Sequence, residues 1–187
     1  MHAAVGLGLL LVPLVAAPPG TRSGASPVEL EVLGVVPLQT EGASLLVLKE
    51  KSGGTVLPIV VGRSEGIAID LRMKRTPSPR PLGAELLEKT IGALGGRVLR
   101  VEIRSVQAAL FRARVTLQQG DRRVEVDARP SDSVALAVTA HAPIFATREV
   151  MEQGGLTPHD LEKLRSAPAP GGAEEEGPRG PGPVQRF

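Results

Sequence analysis

The stretch VDARPSDSVALAV, Val126–Val138, decides how the chain folds. Its first residues continue a strand, Pro130 supplies the φ of a first helical turn, and the run from Val134 to Val138 has no polar member. A helix without a polar face is a buried one, so a strand-to-helix junction is predicted beside the core. Ser131 is placed to cap the free N–H groups, and Asp132 suits the positive end of the helix dipole. Capping leaves Asp127 and Arg129 unexplained. An unpaired charge at the mouth of a buried helix is costly. Two explanations stand: an ion pair among Arg129, Asp127 and Asp132, or an anion site with Arg129 and the helix N-terminus as donors.

Upstream, RVLRVEIRS (97–105), ALFRARVTL (109–117) and RRVEVDA (122–128) alternate as strands. Leu99, Val101, Ile103, Phe111, Ala113, Val115, Val124, Val126 and Ala128 form the predicted inward sets. Outward come Arg100, Glu102, Arg104, Arg112, Arg114, Thr116, Arg123, Glu125 and Asp127. That lattice reads as cross-strand ion pairing on a solvated sheet, with little energy per pair. A phosphate-tracking surface or a subunit contact is the sharper alternative.

Three further strands are predicted at 28–36, 44–50 and 55–62, joined by short turns. A helix over 64–75 follows, with Ser64 as its cap and Glu65 in its first turn, and TPSPRP breaks it. A second helix covers 84–94 and closes at Gly95-Gly96. After the apolar helix, APIFA (142–146) is a short strand or extended turn, 147–153 a short helix, and 157–165 a last amphipathic piece starting at Thr157 and Pro158. Segregated blocks of strands and helices give the α+β class: one domain, a mixed or antiparallel sheet of about six strands, and three to four helices.

The domain is expected to span residues 28–165. Ahead of it, MHAAVGLGLLLVPLVAAPPG contains an apolar run of signal-peptide length followed by small residues at Val15-Ala16-Ala17. With Pro13 inside it, the run is too short for an integral membrane span. Residues 1–27 therefore read as a leader and linker, and the protein as exported to the periplasm or beyond. No Lys or Arg precedes the run, so a spurious leader would return the protein to the cytoplasm. Residues 166–187, rich in Pro, Gly and Glu, read as a disordered tail.

Composition removes whole classes of chemistry. The 187 residues contain no Cys, Trp or Tyr and only three Phe, which excludes disulfides, thiolate nucleophiles and a base-stacking platform. The formal net charge is +2, so nucleic-acid binding needs a local basic patch. There is no phosphate loop, dinucleotide fingerprint or paired-histidine zinc motif. His2 sits in the leader, and His141 and His159 fit structural roles better than catalysis. Carboxylate and arginine chemistry remains. Glu65, Asp127 and Asp132 stand at strand ends or helix starts, and such oxygen ligands suit Mg²⁺ or Mn²⁺ and phosphoryl transfer. Each is equally a partner for a helix dipole.

VDARPSDSVALAV closely resembles the signature of the bifunctional nuclease domain, in which Asp-Ala-Arg-Pro-Ser-Asp-Ala opens an apolar helix. Leu57-Pro58-Ile59, Gly62 before Glu65, Arg80-Pro81-Leu82, Phe111 with Ala113, and Ala142-Pro143-Ile144-Phe145 agree in order and spacing. The resemblance spans about Val28 to Gln153 and implies a self-associating α+β domain with nuclease activity on DNA and RNA. Glu65, Arg80, Asp127, Arg129, Ser131 and Asp132 match the family's motif. On the resulting reading, Glu65, Asp127 and Asp132 hold Mg²⁺ or Mn²⁺. Arg80, Arg129 and Ser131 bind substrate, and Asp127, Arg129 and Asp132 are the catalytic set. One departure stands out. The family's Arg-Pro-Leu-Thr-His-Asp is Arg80-Pro81-Leu82-Gly83-Ala84-Glu85 here, so the hydroxyl and the histidine are gone. The alternative is therefore a non-catalytic oligomeric module that binds an anion or a partner.

Overall fold

The computed structural model describes residues 26–39, 42–108 and 110–166. Of the leader and linker read over residues 1–27, residues 1–25 lie outside the described residues, as does the tail read over 166–187 beyond its first residue. Two antiparallel meanders form the frame. The first is β1 (Val28–Pro37), β2 (Ala43–Glu50) and β3 (Val56–Gly62); helices α1 (Arg63–Met73) and α2 (Gly83–Ala93) follow. The second is β4 (Gly96–Gln107), β5 (Leu110–Gln119) and β6 (Arg122–Ala128). It runs into α3 (Pro130–Ala140), β7 (Ile144–Ala146), α4 (Arg148–Gly154) and α5 (Pro158–Ser166).

The α+β class is as expected, with seven strands and five helices among the described residues. The seventh strand is the APIFA segment, and it occupies the centre of the sheet, whose order is β3-β2-β1-β7-β4-β5-β6. Only three residues long, β7 pairs antiparallel with β1 and parallel with β4, so it joins the two meanders. Helix α4 packs against both β3 and β4, which are not neighbours in that order; the sheet therefore curls around its core. Alternate residues fill the curl. Leu46, Leu48, Leu57, Val101, Ile103 and Ile69 are fully or almost fully buried.

The apolar helix behaves as its composition requires: Val134, Leu136 and Ala137 of α3 are buried against β4, β5 and α1. Close approach sets the position of α1. A Cβ on Gly66 would stand 2.8 Å from Ser44 Cβ and 3.0 Å from Val35 Cγ1, so the helix lies nearer the sheet than any larger residue permits.

Two sequence expectations fail locally. Val126, assigned inward, is 43% exposed, because β6 is the edge strand and α3 leans over β4 and β5 instead. Neither Ser64 nor Ser131 caps its helix: the N-caps are Gly62 and Arg129, and no side chain bonds to the first-turn amides at either. Proline is the cause at the second, since the residue before it is driven out of helical conformation. Arg129 accordingly has φ −71 and ψ 149, and Ser131 falls inside the first turn.

Candidate active site

The junctions β3–α1 and β6–α3, together with the start of α2, bring three helix N-termini to one cleft of about 480 Å³. Ser64 and Glu65 come from α1, Gly83 and Ala84 from α2, and Ser131 and Asp132 from α3. Ala68, Leu87 and Ala135 wall the space between them. At the opposite end, Arg72, Met73, Val138 and His141 gather, so α1 and α3 run side by side in the same direction. Their positive dipole ends therefore act together at the cleft.

Capping separates these helices from the others. Gly62, Leu82 and Arg129, the N-caps of α1, α2 and α3, offer no side-chain oxygen to the first-turn amides. Away from the cleft, Thr147 accepts from the Val150 N–H, and the Thr157 hydroxyl accepts from the Asp160 N–H. First-turn N–H groups without an intrahelical partner need an acceptor; the Arg63 N–H donates to Gly42 O at 2.8 Å and Pro130 has no N–H, so it is the remaining first-turn amides at the cleft that are left for a ligand or water. Ser131 adds to this. It is 7% exposed, lines the cleft, and its hydroxyl makes no hydrogen bond among the described residues.

The charged groups at the rim form one cluster. Arg129 Nε and Nη2 donate to the two carboxylate oxygens of Asp132 at 2.8 and 3.0 Å. The same Nη2 lies 3.3 Å from Glu65 Oε1, so α3 and α1 are bridged by one guanidinium. The hydrogen bond and charge of Asp132, and secondarily Glu65, raise the Arg129 pKa above its ordinary value. Gly62 makes the arrangement possible: a Cβ there would collide with the Glu65 carboxylate. The ion-pair explanation of Arg129 thus holds for Asp132, with Glu65 as a second partner.

Asp127 is not part of this cluster. Strand alternation turns it to the outward face, where it is paired with Arg114 Nε at 3.7 Å. Among the described residues no group of three acidic or histidine ligands gathers anywhere, so the predicted Glu65–Asp127–Asp132 trio is not assembled. Arg80 stands exposed in the connection between α1 and α2 and makes no side-chain hydrogen bond or ion pair among the described residues. Glu85, at the departure from the family's motif, accepts from the Leu82 N–H at 3.1 Å and from Arg72 Nη1 at 2.8 Å, tying α2 to α1. Gly83 and Ala84, where the family carries threonine and histidine, face the cleft without a reactive group. Sequence reasoning missed Ser64, Ala68 and Ala135 as lining residues; nothing in their spacing signals that three helix starts converge.

A curled α+β sheet whose helix N-termini enclose an anion-suited cleft beside an Arg-carboxylate cluster defines a class, and comparison with known proteins gives it a family. The model of the bifunctional nuclease domain matches residues 46–159. Two uncharacterized proteins of Mycobacterium tuberculosis, from two strains, are each 38% identical over 128 residues, covering 68% of this chain and 76% of theirs. Bifunctional nuclease 2 of Arabidopsis thaliana is 28% identical over 134 residues, covering 69% of this chain and 41% of that protein. The chain belongs to the bifunctional nuclease domain family.

Proposed function

We propose that the protein is a phosphodiesterase acting on DNA or RNA without sequence preference, with the three-helix cleft as its reacting centre. The observation that carries this reading is the convergence of three helix N-termini, whose N-cap residues offer no side-chain acceptor to the first-turn amides, on the Ser131 hydroxyl, unpartnered among the described residues, beside Arg129. Backbone amides and a serine hydroxyl fixed in place are donors for a phosphate and for the charge that develops on it. Arg129 holds Asp132 and Glu65 through Nε and Nη2, which leaves Nη1 as a charged donor for a non-bridging oxygen. The side chains of Ala68, Leu87 and Ala135 on the cleft walls are apolar and offer no groups that read a base.

Glu65 and Asp132 both reach one Arg129 nitrogen, and they are the two carboxylates that would hold a single hard cation if it displaced the guanidinium, with water and phosphate oxygens completing its shell. Mg²⁺ or Mn²⁺ held there would polarise the phosphoryl oxygen and lower the pKa of a bound water. Asp127 has no part in this set. The test is incubation of the full chain with single-stranded DNA, duplex DNA and RNA in Mg²⁺, Mn²⁺ or EDTA. Metal-dependent cleavage lost in Asp132→Ala supports the site, and cleavage that survives both EDTA and that substitution sinks it.

A second reading has its own observation. Gly83 and Ala84 leave the cleft without the family's histidine, so anion binding without turnover is the alternative. Nucleic-acid binding that is salt-sensitive, with no cleavage in any metal, selects it. Self-association is proposed with either reading. Two of the five arginines of the outward face are engaged within the chain, Arg114 across the strand pair with Glu125 and Asp127 and Arg100 along its own strand with Glu102, so the ion-pairing explanation covers part of that face; Arg104, Arg112 and Arg123 make no ion pair among the described residues. Apolar residues lie in register across the other meander, Val36 opposite Leu45 and Leu45 opposite Val60, with Val36 and Val60 more than half exposed. A second copy meeting that row is tested by light scattering of Val60→Lys.

A further inference from the structure

The far ends of α1 and α3 form a second cleft, of about 560 Å³, lined by Arg72, Met73, Arg75, Val138 and His141. Among the described residues no carboxylate lines it. Arg72 is engaged with Glu85 on one side, whereas the exposed Arg75 makes no side-chain hydrogen bond or ion pair among the described residues.

The backbone here is unusual. Three non-glycine residues with positive φ occur among the described residues, and two of them are Arg75, at 53°, and His141, at 52°. Both stand just past a helix end, where glycine meets the left-handed conformation at least cost. A cation near a helix C-terminus does favour the dipole. Arg72, in the last turn of α1, and Lys74, its C-cap, already supply that, with no left-handed arginine needed. The turns themselves are closed by capping bonds, Thr76 N–H to Leu71 O and Ala142 N–H to Ala137 O, each at 2.9 Å, so what a ligand site explains is a long cation and an imidazole in place of glycine at two positions that face one cleft.

We propose that this cleft is a second phosphate site, holding a nucleic-acid strand by a backbone phosphate a few nucleotides from the one at the N-terminal cleft. The inference rests on the reading of that first cleft as the site of phosphate chemistry. Helix α1 has 11 residues. The two clefts are therefore separated by about 16 Å along the paired helices, too far for adjacent phosphates and suited to a strand laid along α1 and α3. Arg75 supplies the fork, His141 a ring donor, and Met73 and Val138 an apolar floor for the sugar edge.

The backbone itself provides the test. Arg75→Gly and His141→Gly place the residue that suits each φ, so the fold is retained and its Tm holds or rises. Binding of fluorescein-labelled oligodeoxythymidylates to the full chain is followed by anisotropy in EDTA, using a dinucleotide and a strand of about ten nucleotides. The wild type binds the longer strand more tightly, and in Arg75→Gly that advantage shrinks about tenfold, with a shallower salt dependence. An unchanged length advantage in both folded variants overturns the proposal, as does a wild type that binds both lengths equally. If no metal gives cleavage yet the length advantage still falls in Arg75→Gly, this second site stands while the reading of the first as a reacting centre fails.

Discussion

Arg129 grips both carboxylate oxygens of Asp132, three residues further on, while one of the same nitrogens reaches Glu65 on another helix. A proline between the first two makes this possible, since it holds Arg129 extended and lets its side chain fold back over the first turn of α3. Lysine has the charge without the fork and cannot make both contacts at once. Arg129→Lys should lower nuclease activity about tenfold or more while leaving Tm nearly unchanged, since the guanidinium is mostly solvent-exposed. Parallel activity assays and thermal melts check this.

Gly62 and Glu65 offer a test of position without a change of charge. In Gly62→Ala the new methyl displaces the Glu65 carboxylate, a flexible end that can swing away. Tm should fall slightly, while kcat drops by up to about 100-fold through misplacement of the Glu65 oxygens. An intact kcat would show that Glu65 is outside the reacting set.

Gly66 should respond in the opposite way. Ser44 and Val35 leave no room for a Cβ, and neither can retreat from a packed sheet. Gly66→Ala should cost about 1–3 kcal/mol in urea unfolding, even though alanine is the better helix former.

Ala84 lies in the cleft at the position where the family's histidine is expected. Ala84→His introduces a group able to accept or deliver a proton beside Glu65 and Asp132. Cleavage should rise about 100-fold with a new dependence on pH near neutrality. No gain, together with unchanged binding, would mean that the missing histidine does not limit the reaction.

Asp160 has its pKa lowered, first by the hydrogen bond from the Thr157 hydroxyl and then by that from the Thr157 N–H. A depressed folded-state pKa gives a contribution that is complete above the unfolded carboxylate value and is lost as pH falls through the folded one. The start of α5 should therefore fray below about pH 4 while the sheet holds. Amide exchange in α5 followed against pH measures it, and Thr157→Ala should shift the loss to higher pH.

Strand positions were legible because alternation in 97–128 leaves one arrangement that buries Val101, Ile103, Ala113 and Val115. The apolar run after Pro130 likewise announced a buried helix. The sheet order was not legible. It turns on β7, whose three residues carry no periodicity and are fixed only by partners distant in sequence, Val28 to Leu30 and Val101 to Ile103. Glu65, Arg129, Ser131 and Asp132, singled out in the sequence, lie together at one cleft, but Asp127 was grouped with them because nearness along the chain does not say which face of a strand a residue takes. The serine caps were misread for a related reason. A hydroxyl near a helix start signals a cap only when its own residue is the extended one, and here Gly62 and Arg129 hold that place.

Main-chain amides are groups that no substitution other than proline can delete. If the cleft takes its hold on anions from the starts of α1, α2 and α3, that hold belongs to the path of the chain and tolerates changes at positions 83 to 85. Reactive side chains can then be gained or lost on a binding platform that persists, and the same scaffold can serve as an enzyme in one protein and as a receptor for charged strands in another.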